Sequence, residues 1–163
     1  AIDGDMCVQQ AEKLRIIRSH MENLDLCKLN LESVILSLTD KYINELNLVL
    51  TVPGIQTFSA IAVISEIGVD MSVFPSSKHL CSWAGLTPQN NESAGKKKTT
   101  RISRAGVYIK PLLVQCALCA VRAKAFPEVS KRYNALKKRR GHKKAIIAVA
   151  RMLLTAIYNI LKK

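Results

Sequence analysis

The sequence has 163 residues, 48% of them hydrophobic, with 25 Lys+Arg against 12 Asp+Glu for a formal net charge of +13. This is the size of one ordinary folded domain with an appendage, and the apolar fraction excludes a disordered basic tail. Lys110, Gln115, Arg122 and Arg151 break the apolar stretches before they reach the roughly 20 residues that cross a bilayer, so no membrane span is expected.

From about Asp5 to Asn47 there is neither Pro nor Gly. Leu14, Ile17, Met21, Leu24, Leu31, Ile35, Leu38 and Tyr42 recur at alternating spacings of three and four, a heptad seam with Lys28 at one apolar position. A charged seam residue lowers stability but fixes register or partner number. The pattern predicts a self-associating coiled coil or helical hairpin over residues 1–47. The alternative is two shorter helices folded back on the rest, with a break near Cys27 to Asn30.

Val52-Pro53-Gly54-Ile55 stops the period, because Pro53 lacks an amide hydrogen and Gly54 admits positive φ. A helix is predicted from Thr57 to Ile67 with Gly68 as its C-cap. Helix, tight turn and helix read as a helix-hairpin-helix, whose glycine turn presents amides to a DNA phosphate, so Gly54 and Ile55 are candidate phosphate contacts. Gln56 stands where a second Gly is common, and a hairpin that only packs two helices is the alternative. A short helix follows from Ser76 to Trp83 with Pro75 at its entry, and Gly85 to Thr100 reads as a long polar loop. Ser103 to about Ala125, Glu128 to Arg140 and Lys143 to Leu161 are predicted helices, Pro111 marking a kink or a late start in the first of them. In the last, Ile146, Ile147, Val149, Ala150, Leu153, Leu154, Ile157 and Ile160 form the core face. No alternating run is convincing as a strand, so the fold class is all-α, with a coiled coil or helical linker over 1–47 and a compact helical domain over 48–163.

Charge divides the chain the same way. Residues 1–50 hold 5 Lys+Arg and 8 Asp+Glu, net −3, and residues 51–163 hold 20 and 4, net +16. A small domain at +16 repels itself, a cost offset when the partner is a polyanion whose counterions are released on binding. Nucleic acid is the expected partner and a membrane is not, because aromatic anchors are scarce. The five cysteines, Cys7, Cys27, Cys81, Cys116 and Cys119, show no disulfide framework, and no signal peptide opens the chain, which points to a reducing, intracellular compartment. Ala1 in place of Met, followed at once by helix-like sequence, is read as the start of a fragment.

Metal-dependent hydrolysis needs converging carboxylates, and after residue 50 there are only Glu66, Asp70, Glu92 and Glu128, scattered over separate elements. Cys116-x-x-Cys119 is a lone pair without a second pair or a suitably spaced His, so no metal site is expected. His20, His79 and His142 are isolated. The polar loop is more informative: Asn90-Asn91-Glu92-Ser93-Ala94-Gly95-Lys96-Lys97-Lys98 combines an accessible hydroxyl, small neighbours and cations, the requirements of a phosphoryl-transfer nucleophile. A serine beside loop lysines is usually only that.

Six segments occur in a telling order: Leu50-Thr51-Val52-Pro53-Gly54-Ile55, Phe74-Pro75-Ser76-Ser77-Lys78-His79-Leu80, Trp83-Ala84-Gly85-Leu86-Thr87-Pro88, Glu92-Ser93-Ala94-Gly95-Lys96, Leu113-Val114-Gln115-Cys116-Ala117 and His142 to Arg151. Over about residues 48 to 162 the chain resembles the C-terminal domain of a bacterial insertion-sequence transposase family. That family pairs a resolvase-like nuclease domain, bearing an Asp-Glu-Asp-Asp set, with a serine-bearing domain, and some members use a bridge RNA as guide. The resemblance implies that Ser93 attacks a DNA phosphate to form a phosphoserine link. It further implies that Mg²⁺ belongs to the nuclease domain, with no cofactor in this fragment, and that residues 5–47 join the domains and assemble a homo-oligomer. Ala94 departs from the family's frequent Gly, and Val107 from a more usual polar residue. Expected partners are DNA (element ends and target) and a guide RNA, in a bacterial cytoplasm at the nucleoid. Expected nucleic-acid contacts are Gly54, Ile55, Lys96, Lys97, Lys98, Arg101, Arg104, Lys143, Lys144 and Arg151. The fragment should bind nucleic acid without recombining it alone.

Overall fold

A computed structural model describes residues 4, 6–88, 91–93, 96–99, 102 and 104–162. The chain divides into two compact units, Ala1–Tyr42 and Ile43–Lys163.

The first unit is one long helix, α1 (Val8–Thr39), closed by a 3-10 turn at Asp40–Tyr42. Its N-terminus is capped by Gln10, whose Oε1 accepts from the Cys7 amide at 3.1 Å. The helix runs unbroken through Cys27 to Asn30, so the break of the alternative reading does not occur; the chain has no Gly or Pro at that point to cause one. Pairs at helical spacing line it: Glu12 with Arg15 at 3.0 Å, Arg18 with Glu22 at 3.0 Å, and Lys28 with Glu32 at 3.8 Å. Such exposed pairs contribute about 0.3–0.5 kcal/mol each. No residue of α1 is buried, and Leu14, Ile17, Met21, Leu24, Leu31 and Leu38 of the seam are each more than half exposed.

The second unit is built around α7 (His142–Leu161). Ala145, Ile146, Val149, Ala150, Leu153, Leu154, Ile157 and Tyr158 are buried along it, with Ile147 and Ile160 at the margin of the core. Against it pack α2 (Ile43–Leu50), α4 (Ser77–Trp83), α5 (Ile109–Arg122) and α6 (Pro127–Arg140). By length and composition alone α7 could cross a membrane. Its apolarity is accounted for by the four helices around it. α3 (Thr57–Ile67) follows α2 and rests on α5; it stops at Gly68, whose amide donates to the Ile64 carbonyl at 2.8 Å with φ +72°. A 3-10 turn at Met71–Val73, capped by Asp70, leads to α4.

The architecture is all-α in class with one addition. Asn91–Ser93 (β1) and Lys96–Thr99 (β2) form a two-stranded antiparallel ribbon inside the segment expected to be an irregular loop. Neither strand carries the alternation of apolar and polar residues that marks a half-buried strand, which is why pattern reading misses it. Pro111 proves to mark a late start: α5 begins at Ile109 and takes the proline in its first turn, where a missing amide costs nothing.

Candidate nucleic-acid and strand-transfer site

The ribbon grows from a closed root. α4 ends at Trp83, Leu86 is buried, and the amides of Gly85 and Leu86 donate to the carbonyls of Ser82 and Cys81 at 3.0 and 2.9 Å. On the returning arm Gly106 precedes α5. The two arms touch backbone to backbone at two glycines, both with φ +67°. A Cβ on Gly85 would run into the Ala105 carbonyl, and one on Gly106 into the Ala84 carbonyl. Only glycine permits both the left-handed conformation and this approach. Further out, Pro88 bridges to Ile102, and the register then pairs Asn91 with Thr99, Glu92 with Lys97 and Ser93 with Lys96, with an irregularity between Asn91 and Glu92. Ser93 and Lys96 are thus the end pair of the ribbon, separated in sequence by Ala94 and Gly95, which lie outside the described residues.

Of the other expected loop contacts, Lys97 and Lys98 lie on β2, Arg104 is exposed on the returning arm, and Arg101 lies outside the described residues. Arg151 is half-buried on α7. The Cys81 Sγ lies 3.8 Å from the Arg151 carbonyl and 3.6 Å from Thr155 Oγ1, which sets that turn of α7 beside the helix from which the ribbon departs. Lys143 and Lys144 are exposed in the first turn of α7. Sequence reading missed Lys110. Its Nζ donates to the Ala105 carbonyl at 2.9 Å and lies 3.0 Å from where a Gly85 Cβ would sit, at the root itself. The available signal was a lysine in the first turn of an apolar helix, a position the helix dipole disfavours. Tyr108, 76% exposed beside the root, was missed as well.

Gly54 and Ile55 lie where the turn before α3 meets α5. Gly54 has φ +77°, but the side on which its Cβ would stand is filled by α5, against the Cys116 carbonyl and 2.6 Å from the Ala120 amide nitrogen. The Ile55 side chain is buried, and its amide donates to the Val52 carbonyl at 3.3 Å. This glycine lets a turn press onto a helix, and the Ile55 amide is used within the turn.

Cys116 is buried and Cys119 exposed. Burial pushes the Cys116 thiol up, a Ser59 hydrogen bond acting in the opposite direction. Among the described residues no group of three or more His, Cys, Asp or Glu could hold a metal ion.

The architecture is that of a helical domain carrying a lysine-rich ribbon with a serine at its end. Residues 46–134 match the transposase IS116/IS110/IS902 family, and the chain belongs to that family. It is 31% identical over 125 residues to the pilin gene-inverting protein of Moraxella bovis, and to the same degree to that of Moraxella lacunata, an alignment covering 72% of this chain and 37% of each relative. The chain therefore spans well under half the length of these curated relatives. No solved structure matches.

Proposed function

We infer that this chain is the serine-bearing part of a DNA transposase or recombinase, and that Ser93 is its nucleophile. In the step proposed, Ser93 Oγ bonds to phosphorus and the bond from phosphorus to one deoxyribose oxygen breaks. The serine proton leaves with that oxygen as a free hydroxyl end. An incoming DNA hydroxyl reverses the exchange, restoring the serine and joining the strands, so no energy source is needed. Lys96, Lys97, Lys98 and Arg101 would balance the charge that builds on the phosphate, while Arg104, Lys143, Lys144 and Arg151 hold the backbone.

The observation that carries this reading is the ribbon: in a transposase-family chain, Ser93 is paired with Lys96 at the end of a cationic projection held by two glycines. A carboxylate domain with Mg²⁺ would complete the active site, and a guide RNA is a further candidate partner. The exposed seam of α1 supports homo-oligomerisation through residues 5–47. Its setting would be the bacterial cytoplasm at the nucleoid. The pilin gene-inverting name of the relatives is consistent with DNA inversion as a form of this chemistry.

The same seam and charge also suit a non-catalytic module that bridges DNA or binds RNA. A denaturing gel separates the readings. The full-length parent, with Mg²⁺, its element ends and candidate RNA, should give a covalent protein–DNA adduct that Ser93→Ala loses. An adduct surviving in the variant would move the nucleophile elsewhere. Tight, salt-sensitive binding without any adduct would favour the bridging module.

A further inference from the structure

The densest charge of the described molecule lies away from the ribbon's sequence, at the corner between α6 and α7. Lys137, Lys138, Arg139, Arg140, Lys143 and Lys144 are all exposed within eight residues, and the nearest acid in sequence is Glu128, in the first turn of α6. Among the described residues no ion pair reaches any of the six. Gly141 alone connects the helices, with φ +80° and open space around it. The buried Tyr133 holds the corner together: its hydroxyl is 2.7 Å from His142 Nδ1, and Lys137 lies over its ring at 5.8 Å. The last turn of α6 and the first turn of α7 therefore present one cationic tip.

The charge is not explained by the helices themselves. Cations in the last turn of α6 oppose the negative end of its dipole, but one or two would suffice, and four are present. Lys143 and Lys144 sit at the positive end of α7, where no acidic residue balances them and the dipole disfavours them. The six groups crowd a corner about one to two helix diameters across, within roughly two Debye lengths of one another at physiological salt, so their repulsion is incompletely screened. A polyanion relieves it. Tyr133 is 8% exposed and offers no stacking face, and the one exposed ring at the corner, His142, is tied through Nδ1 to the Tyr133 hydroxyl at 2.7 Å, so the six cations dominate what the tip presents and favour phosphates over unpaired bases.

We propose that the α6–α7 corner is a sequence-independent contact for the phosphate backbone of duplex DNA, in which the four cations of α6 act together with Lys143 and Lys144. It rests on the reading of this chain as a DNA strand-transfer protein and enlarges its DNA contact beyond the ribbon. The test uses the 163-residue chain and two unrelated DNA duplexes of equal length, titrated across a salt series. In the variant K138Q/R139Q/R140Q, the slope of log affinity against log salt should fall in magnitude by about 2 to 3, since each lost phosphate contact removes about 0.9. Both duplexes should weaken by the same factor. K143Q/K144Q should lose a further one to two units of slope while its thermal midpoint stays or rises, because it removes charges the dipole disfavours. R139K/R140K should keep the original slope.

Unchanged slopes in both glutamine variants would overturn the proposal, as would weakening confined to one duplex sequence or the absence of any duplex binding. Stronger competition by duplex RNA than by duplex DNA would overturn the assignment to DNA. If the corner variants lose slope while no covalent adduct ever forms in the parent, the contact stands and the strand-transfer reading falls. If the adduct forms and the slopes do not move, the reverse holds.

Discussion

Two long helices, α1 and α7, are both rich in leucine and isoleucine, and they resolve that chemistry in opposite ways. α7 buries eight residues among four neighbouring helices of its own unit. α1 buries none, and leaves its seam of Leu14, Ile17, Met21, Leu24, Leu31 and Leu38 in water. The difference lies in the periods. The apolar face of α7 is broad, as a helix central to a core requires, whereas the α1 seam repeats every three and four residues, the spacing that meets another helix along a line. Apolar surface of that kind is stabilised by a second helix.

The sharpest way to break this comparison is one truncation in each helix. Leu154→Ala removes a fully buried side chain and should destabilise the second unit by about 3–5 kcal/mol in urea titration. Leu24→Ala should change the unfolding of that unit by less than about 0.5 kcal/mol while lowering the association constant in sedimentation. Equal effects would mean that α1 belongs to the core.

Gly54 comes next. Gly54→Ala forces a Cβ into the backbone of α5 at φ +77° and should cost about 2–4 kcal/mol, from left-handed strain and overpacking together. Gly68→Ala meets nothing and should cost about 1–3 kcal/mol from its backbone conformation alone. Comparing their thermal midpoints checks that the Pro-Gly turn is a packing device.

Lys28→Leu tests the seam from the other side. Its ion pair with the half-buried Glu32 is worth about 0.5 kcal/mol, whereas an added apolar seam residue should raise association several-fold and relax oligomer number. Light scattering against concentration reads both. Tyr133→Phe removes the hydrogen bond to His142 and should cost about 1 kcal/mol, leaving the buried ring in place.

The smallest effect concerns pH. Hydrogen bonds from Ser72, including its amide at 2.8 Å, hold Asp70 below the usual carboxylate range. Its folded pKa is therefore depressed relative to the unfolded chain. The cap's contribution should be fully present above about pH 4, the ordinary aspartate value, and should disappear as pH falls through the lowered folded value. Asp70→Asn should flatten that part of a stability profile measured from pH 5 to 2.

Much of the helical domain was legible because local chemistry and tertiary need agree there. Thr57 to Ile67 with Gly68 behind it, the short helix ending at Trp83, and the face of α7 follow from periodicity and breakers, and the structure places them there. The ribbon was not legible. Asn, Glu and Ser facing Lys, Lys, Lys and Thr carry no apolar alternation, and Ala-Gly is not one of the strong hairpin dipeptides. The candidate site was half legible: Ser93 and the lysines stand out by composition and resemblance. Lys110 and the α6 cations needed the contact at Gly85 and the Tyr133 to His142 bond to show what they accompany.

By itself, the sequence determined the helical class and most of the helices, the division of charge and the heptad seam, because each depends on neighbours within a turn or two. The tertiary structure alone decided the roles of the glycines and which cations stand together. The Pro53-Gly54 turn became a seat for α5, Gly85 and Gly106 became the closure beneath Ser93, and Gly141 joined two basic helix ends into one tip. The physical reason is range. A glycine declares its conformational freedom locally, but whether that freedom admits a phosphate or another stretch of backbone depends on residues 20 to 66 positions away.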